Sequence, residues 1–289
     1  MKIEELNAYA IGFNPDLILC SGWMDKDYVA ICKTHHKSIP TVLTMDNHWN
    51  GGIKQHVARF LSPFTLKKAF SHVFVPGNIQ SKYAQKLGFS KDQILAGFYS
   101  ADTQKFSRYY QDIDHSERIK SKRFIYLGRY TEHKGIFDLW RAFQRSDAHS
   151  LGWELWCVGT GDAFDQRPEM EGIKHFGFVQ PNELLPILKE TSVYILPSHF
   201  EPWGVSVHEM AATGFPMLLS DKIGSREMFM KANENGYLFN SADVASLTEK
   251  MNQFMKLSEA ELEKMGELSR ALSKQNSPNQ WAEKVMNIK

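Results

Sequence analysis

The sequence predicts an α/β fold of two doubly wound parallel-sheet units, the N-terminal one abbreviated. Three observations carry this. Short apolar runs alternate with helical patterns along the chain, the runs are apolar on both faces, and one charge-rich stretch interrupts the alternation. Strands of a parallel sheet covered by helices on both sides must be apolar on both faces. Strand–helix alternation then builds right-handed βαβ units.

In chain order the runs are DLILC (16–20), TVLTM (41–45), HVFVP (72–76), RFIYLG (123–128), LWCVG (155–159), VYILP (193–197) and PMLLS (216–220), bounded by Gly, Pro, Asn or Asp. Between them lie amphipathic segments such as GIFDLWRAFQR (135–145), which places Ile136, Leu139, Trp140 and Phe143 on one helical face. The charge-rich stretch QDIDHSERIKSKR (111–123) reads as the linker between an N-terminal unit, 1–111, and a C-terminal unit, 112–270. Only three clear strands precede it. From about 243 the chain reads as amphipathic helix. A last segment, 271–289, carries Pro278 near the start of a closing helix.

Composition narrows the function classes. A hydrophobic share of 43% and a charged share of 23% are those of an ordinary globular protein. A net charge of +1 gives no whole-molecule field toward nucleic acid. Cys20, Cys32 and Cys157 show no C-x-x-C spacing and read as buried reduced thiols. The start MKIEELNAYAIGFNPD lacks an apolar core of signal-peptide length, and no apolar run reaches a membrane span, so a cytoplasmic protein is expected.

Two stretches carry candidate chemistry. In YLGRYTEHKG (126–135) a strand ends at Gly128, Arg129 follows, and Lys134 arrives as the next helix begins. Ligands of open α/β sheets bind at the carboxyl ends of strands, and a planar and a point cation there suit a diphosphate. In LPSHFEPWGVSVHEMAATGFP (196–216), Gly204, Val205 and Ser206 open a helix whose free amides and dipole offer a phosphate site. Glu201 in the preceding loop suits sugar hydroxyls, and Glu209, about one and a half turns in, suits a ribose diol. Paired glycosidase carboxylates are a rival reading of the two glutamates, but they leave Arg129, Lys134 and the open helix start without a role. VGTGDAF lacks the third glycine of a dinucleotide fingerprint, and the histidines lack metal-ligand spacing.

Together these stretches resemble the retaining nucleotide-sugar-dependent glycosyltransferases of the GT-B fold, family four (group 1). The resemblance rests on G-R-x(4)-K at Gly128, Arg129 and Lys134, and on E-x(7)-E at Glu201 and Glu209 leading into MAATGFP. VGTGD (158–162), FGFVQPNELLPILKETSVYILPS (176–198), DKIGSREMF (221–229) and NGYLF (235–239) extend it. It implies two Rossmann-like domains, with about 70 residues of the family's first strands and Gly-rich loop lacking equivalents. A closing helix around Trp281 would brace the N-terminal domain.

For the site, the resemblance implies Arg129, Lys134 and Glu201 as catalytic residues. Gly128, Phe178, Val179, Gly204, Val205, Ser206 and Glu209 would bind the donor, with the base held by backbone around Phe178 and Val179. Asp46 and His48 in TMDNHW would contact acceptor or donor sugar, or else serve as a turn Asp capping a helix beside an exposed His. It further implies transfer in glycan or polysaccharide synthesis from a UDP-, GDP- or ADP-sugar to a saccharide or lipid-linked acceptor, with no cofactor, no metal and no nucleic acid. Two other readings stand beside it: a non-catalytic nucleotide-sugar-binding subunit completed by a protein partner, and a GT-B epimerase or phosphorylase. IKQHVARFLSPFTLKKAF (53–70) reads in two ways. It is either a peripheral contact with the inner face of an anionic membrane or a pair of helices with a buried face.

Overall fold

The computed structural model describes residues 3–288; Met1, Lys2 and Lys289 lie outside the described residues. The chain forms two compact units, Met1–Ser100 with Pro278–Lys289, and Ala101–Ser277.

The first unit contains α1 (Ile3–Phe13), β1 (Ile18–Ser21), α2 (Lys26–His35), β2 (Thr41–Thr44), α3 (Ile53–Leu61), β3 (His72–Val75), α4 (Asn78–Lys86) and β4 (Ile94–Ala96). Its strands form a parallel sheet in the order β1-β2-β3-β4. Leu43, Phe70, Val73, Val75, Tyr83 and Ala84 fill the core on one side of that sheet.

The second unit contains α5 (Thr103–Asp112), α6 (His115–Lys120), β5 (Arg123–Leu127), α7 (Ile136–Arg145), α8 (Ala148–Leu151), β6 (Glu154–Val158), β7 (Ile173–His175), α9 (Leu185–Lys189), β8 (Val193–Leu196), α10 (Val205–Ala212), β9 (Met217–Ser220), α11 (Arg226–Phe229), β10 (Gly236–Phe239), α12 (Val244–Met255) and α13 (Glu259–Ser273). Its sheet is parallel throughout, in the order β10-β9-β8-β5-β6-β7. The chain runs outward from β5 through β6 to β7, then returns to β5's other side with β8. This reversal creates a topological switch point at the carboxyl ends of β5 and β8, where open α/β sheets hold ligands.

All seven expected apolar runs contain strands, and β4, β7 and β10 join them. Each of these three sits at a sheet edge and is only three or four residues long. β7 (Ile173-Lys174-His175) alternates, as an edge strand covered on fewer sides can, whereas β4 and β10 are apolar. On α7 the expected face is realised: Ile136, Leu139, Trp140 and Phe143 are buried. The closing helix α14 (Pro278–Met286) starts at Pro278 and belongs to the first unit. There the Trp281 ring lies 5.7 Å from Phe74, and Lys284 donates to the Ala96 carbonyl at 2.8 Å.

The chain passes between the units at Ser100/Ala101, ahead of the charge-rich stretch 111–123, which was expected to be the linker. That stretch is folded into the second unit because one of its charges is buried. Arg118, 1% exposed, donates to the carbonyls of Thr213 at 3.0 Å and Gly214 at 2.6 Å, and its guanidinium covers the Phe215 ring at 4.3 Å. Arg270 adds a bond to the Ala212 carbonyl at 3.2 Å. Two cations therefore satisfy the carboxyl end of α10, where the helix dipole is negative and carbonyls lack partners.

His208 pins the middle of α10. Its Nδ1 accepts from the Ala101 amide at 3.1 Å, and its Nε2 donates to the Ser273 carbonyl at 2.9 Å. The ring stacks on Phe229 at 4.1 Å. Those partners require the neutral ring, and burial pushes its pKa down to about 4. The unfolded chain thus takes up the proton first. The stabilisation from His208 is complete above pH 6.5 and is lost progressively as pH falls from there to about 4, by about 3 kcal/mol in all. Denaturant midpoints at pH 7 and pH 5 should show this loss in the wild type and a shallower one in His208→Asn.

Candidate functional site

The switch point of the second unit gathers the loops that follow β5, β6, β7 and β8. The loop after β5 begins at Gly128, and the Tyr126 hydroxyl donates to the Arg129 carbonyl at 2.7 Å, holding the backbone. The Arg129 side chain is exposed. It lines a cavity of about 480 Å³ with Thr131, Glu132, His133, Asp162 and His199.

Close backbone approach decides this geometry. Gly135 sits at φ +69°, and a Cβ there would collide with the Pro197 carbonyl. The end of the β5 loop is thereby pressed against the end of β8, a contact only glycine permits. Gly159 (φ +137°) and Gly161 (φ +152°), both in VGTGD, press in the same way against the Gly128 and Tyr130 backbones.

That approach brings Lys134 and Glu201 together, 67 positions apart in sequence. Lys134 Nζ and Glu201 Oε2 form an ion pair with side chains 18% and 16% exposed. The loop carrying Glu201 is itself held by backbone: its amide donates to the Lys222 carbonyl at 3.1 Å, and its carbonyl accepts from the Gly224 amide at 3.0 Å. The Ser198 hydroxyl reaches Glu201 Oε2 at 3.5 Å. Glu201 is thus a positioned, paired carboxylate and not a loose helix-start charge.

Gly204 precedes α10 at φ +89°; a Cβ would lie 3.1 Å from Glu201 Cγ and 3.4 Å from Ile223 Cγ2. Val205 and Ser206 form the first turn, half-buried. Among the described residues no acceptor takes their amides. The Ser206 hydroxyl is oriented by the buried Tyr194 phenol at 2.8 Å. Glu209 lies farther along α10, and burial raises its carboxyl above the ordinary range; Lys105 opposes this and Asp102 adds to it. It is not a solvated helix residue. A partly buried carboxylate of this kind is a strong acceptor for a pair of hydroxyls.

After β7, Phe178 is 68% exposed and Val179 half-buried. The Gly177 carbonyl just before them accepts from the Gly159 amide at 2.7 Å, joining this loop to the β6 loop.

Ten of the twelve expected site residues therefore lie on the second unit's switch-point loops and α10. Asp46 and His48 lie in the first unit, after β2. The Tyr99 hydroxyl donates to Asp46 Oδ2 at 3.1 Å, and burial, with Asp46 adding, pushes that phenol up to about 12. Asp46 caps no helix: α3 is preceded by Gly52, whose amide donates to Asn50. The His48 carbonyl accepts from Gln55 at 2.6 Å.

Several neighbours were not expected from sequence. His199 Nε2 hydrogen-bonds Asp138 Oδ2 at 2.7 Å, its amide donates to the His133 carbonyl at 2.8 Å, and its carbonyl accepts from the Ser241 hydroxyl at 2.8 Å. It thus fixes the loop between β8 and Glu201. Its position directly after Ser198, at a strand's carboxyl end, is the one signal that marks it.

The family described as glycosyl transferases group 1 matches residues 110–272, more than half of the chain. An uncharacterised glycosyltransferase of Methanocaldococcus jannaschii is 32% identical over 123 residues, 40% of this chain and 31% of that protein. The lipopolysaccharide 1,6-galactosyltransferase of Escherichia coli K12 is 22% identical over 265 residues, 88% of this chain and 69% of that protein. The pneumococcal O-GlcNAc transferase GtfA, solved with UDP and GlcNAc, superposes with a TM-score of 0.72 at 16% identity, over 97% of this chain and 58% of that one. The chain spans about a third of the length of the first of these relatives. Two Rossmann-like parallel sheets, the switch-point site and the family match together make this chain a GT-B-fold member of the glycosyl transferases of group 1.

Proposed function

We propose that the chain transfers a sugar from a nucleotide-sugar donor to a saccharide or lipid-linked acceptor with retention of anomeric configuration. One observation carries this reading. At a single switch point the fold sets an exposed Arg129, the Lys134–Glu201 pair and the unoccupied first-turn amides of α10, with Glu209 behind them.

Arg129, Lys134 and the amides of Val205 and Ser206 hold the donor diphosphate and stabilise the charge that grows as it leaves. Glu209 accepts from the ribose diol, and Glu201 from hydroxyls of the donor sugar. Backbone at Phe178 and Val179 meets the base. The acceptor hydroxyl attacks the anomeric carbon on the face the diphosphate leaves, while the bond from that carbon to the phosphate oxygen breaks. The acceptor proton passes to a leaving phosphate oxygen. This assigns charge neutralisation to side chains and amides, with no metal or cofactor in the scheme. Asp46 and His48 are proposed to contact acceptor or donor sugar.

The pneumococcal relative was solved with UDP, which makes UDP-sugars the first donors to try. The chain should release nucleotide from one of the UDP-, GDP- or ADP-sugars when candidate acceptors are added. Proton NMR of the product should show the donor's anomeric configuration. An inverted product would overturn the retaining mechanism. Nucleotide binding with no release under any acceptor would replace the transferase reading with a partner-dependent binding subunit.

A further inference from the structure

We infer that α3 and the turn after it form a docking surface for an anionic lipid bilayer. α3 is amphipathic but turned outward. Ile53, Val57, Phe60 and Leu61 share one face and are 85%, 51%, 75% and 44% exposed, and Phe64 in the following turn is 64% exposed. None of the helix's residues is buried.

The face toward the body is small and polar. Gln55 donates to the His48 carbonyl at 2.6 Å and accepts from the Asn50 amide at 2.8 Å. Ala58 is half-buried, and the Ser62 hydroxyl just past the helix donates to the Leu87 carbonyl at 2.6 Å. Hydrogen bonds thus fasten the helix, while its apolar stripe faces solvent. Single exposed apolar residues are ordinary, but five large ones on one short helix and its following turn mark an interaction surface.

Charge selects the occupant. Between Asp46 and Asp92 there is no Asp or Glu, and there are seven Lys and Arg. Of these, Lys54, Arg59 and Lys68 are exposed on α3 and the turns that follow it. An apolar stripe flanked by cations, in a stretch of sequence without an acidic residue, fits the boundary between headgroups and acyl chains of an anionic leaflet. Among the described residues no helix is long and apolar enough to cross a membrane. This surface lies in the first unit and does not rest on the donor-site reading.

Sedimentation of the full chain with vesicles tests this, using phosphatidylcholine alone and phosphatidylcholine with one third phosphatidylglycerol. Three exposed cations predict a preference for the anionic vesicles on the order of 100-fold at low salt, shrinking as salt rises. The double variant Ile53→Ser/Phe60→Ser should weaken that binding at least about tenfold, with thermal stability unchanged because both side chains are exposed. Met286→Ser, which alters an equally exposed apolar residue on α14, should bind as wild type does. Equal binding by wild type and the double variant, or no binding to either vesicle, would overturn the inference. A self-association abolished by the double substitution, with vesicle binding unchanged, would assign the face to a second copy and overturn it equally.

Discussion

Lys134→Ala is expected to lower the rate of sugar transfer by about 100- to 1,000-fold while leaving the fold intact. In the proposed transfer, charge grows on the diphosphate as the glycosidic bond breaks, and Lys134 is the cation paired with Glu201. Its own position is held by the close approach of Gly135 to Pro197 and not by its charge, so removing the ammonium leaves the loop in place. Lys134→Arg should restore only part of the rate, because a planar guanidinium does not fit where a compact ammonium meets Glu201. Initial rates at saturating donor, with thermal melts as the folding control, measure this. A Lys134→Ala enzyme within threefold of wild type would remove Lys134 from the catalytic machinery.

The largest stability effect is expected at Arg118, far from that chemistry. Arg118→Met keeps the volume but leaves the Thr213 and Gly214 carbonyls buried without donors, at a cost of about 3–5 kcal/mol. Burial holds the Arg118 pKa down to about 9, so it is still charged at neutral pH, and among the described residues no carboxylate pairs with it: the end of α10 is its counter-charge. A fall in melting temperature of about 10 °C is expected. Lys120→Met, on the same helix but exposed and paired with Glu117, should leave the melting temperature essentially at the wild-type value. If the two substitutions cost the same, the guanidinium is not what holds α10.

These two residues also show what the sequence made legible. Strands buried on both faces leave continuous apolar runs, so β5, β8 and β9 could be read directly, and with them the loops that carry Gly128 to Lys134 and Glu201 to Glu209. Of the edge strands, β7 (Ile173-Lys174-His175) carries no such run, while β4 and β10 are apolar but were not among the expected runs. The Lys134–Glu201 pair joins positions 67 apart, and composition holds no trace of it; only the glycine at 135 hints that two backbones meet there.

Arg118 was hidden because it sits in the most charged stretch of the chain, where solvent exposure is the natural expectation. Its burial depends on carbonyls from α10, nearly a hundred positions away. The direction of α3 was hidden for a different reason. Helical periodicity separates an apolar face from a polar one, but it does not say which of them faces the protein. Gln55 and Ser62 settle that through bonds to partners the pattern does not reveal.

The central claim is that the second unit's switch point binds the diphosphate of a nucleotide sugar. Calorimetric titration of UDP, GDP and ADP into the wild type and into Arg129→Ala/Lys134→Ala tests it most directly. The account predicts that one nucleoside diphosphate binds the wild type and binds the double variant at least about tenfold more weakly. Equal affinity in the two proteins would contradict it, and the site would have to be sought elsewhere in the fold.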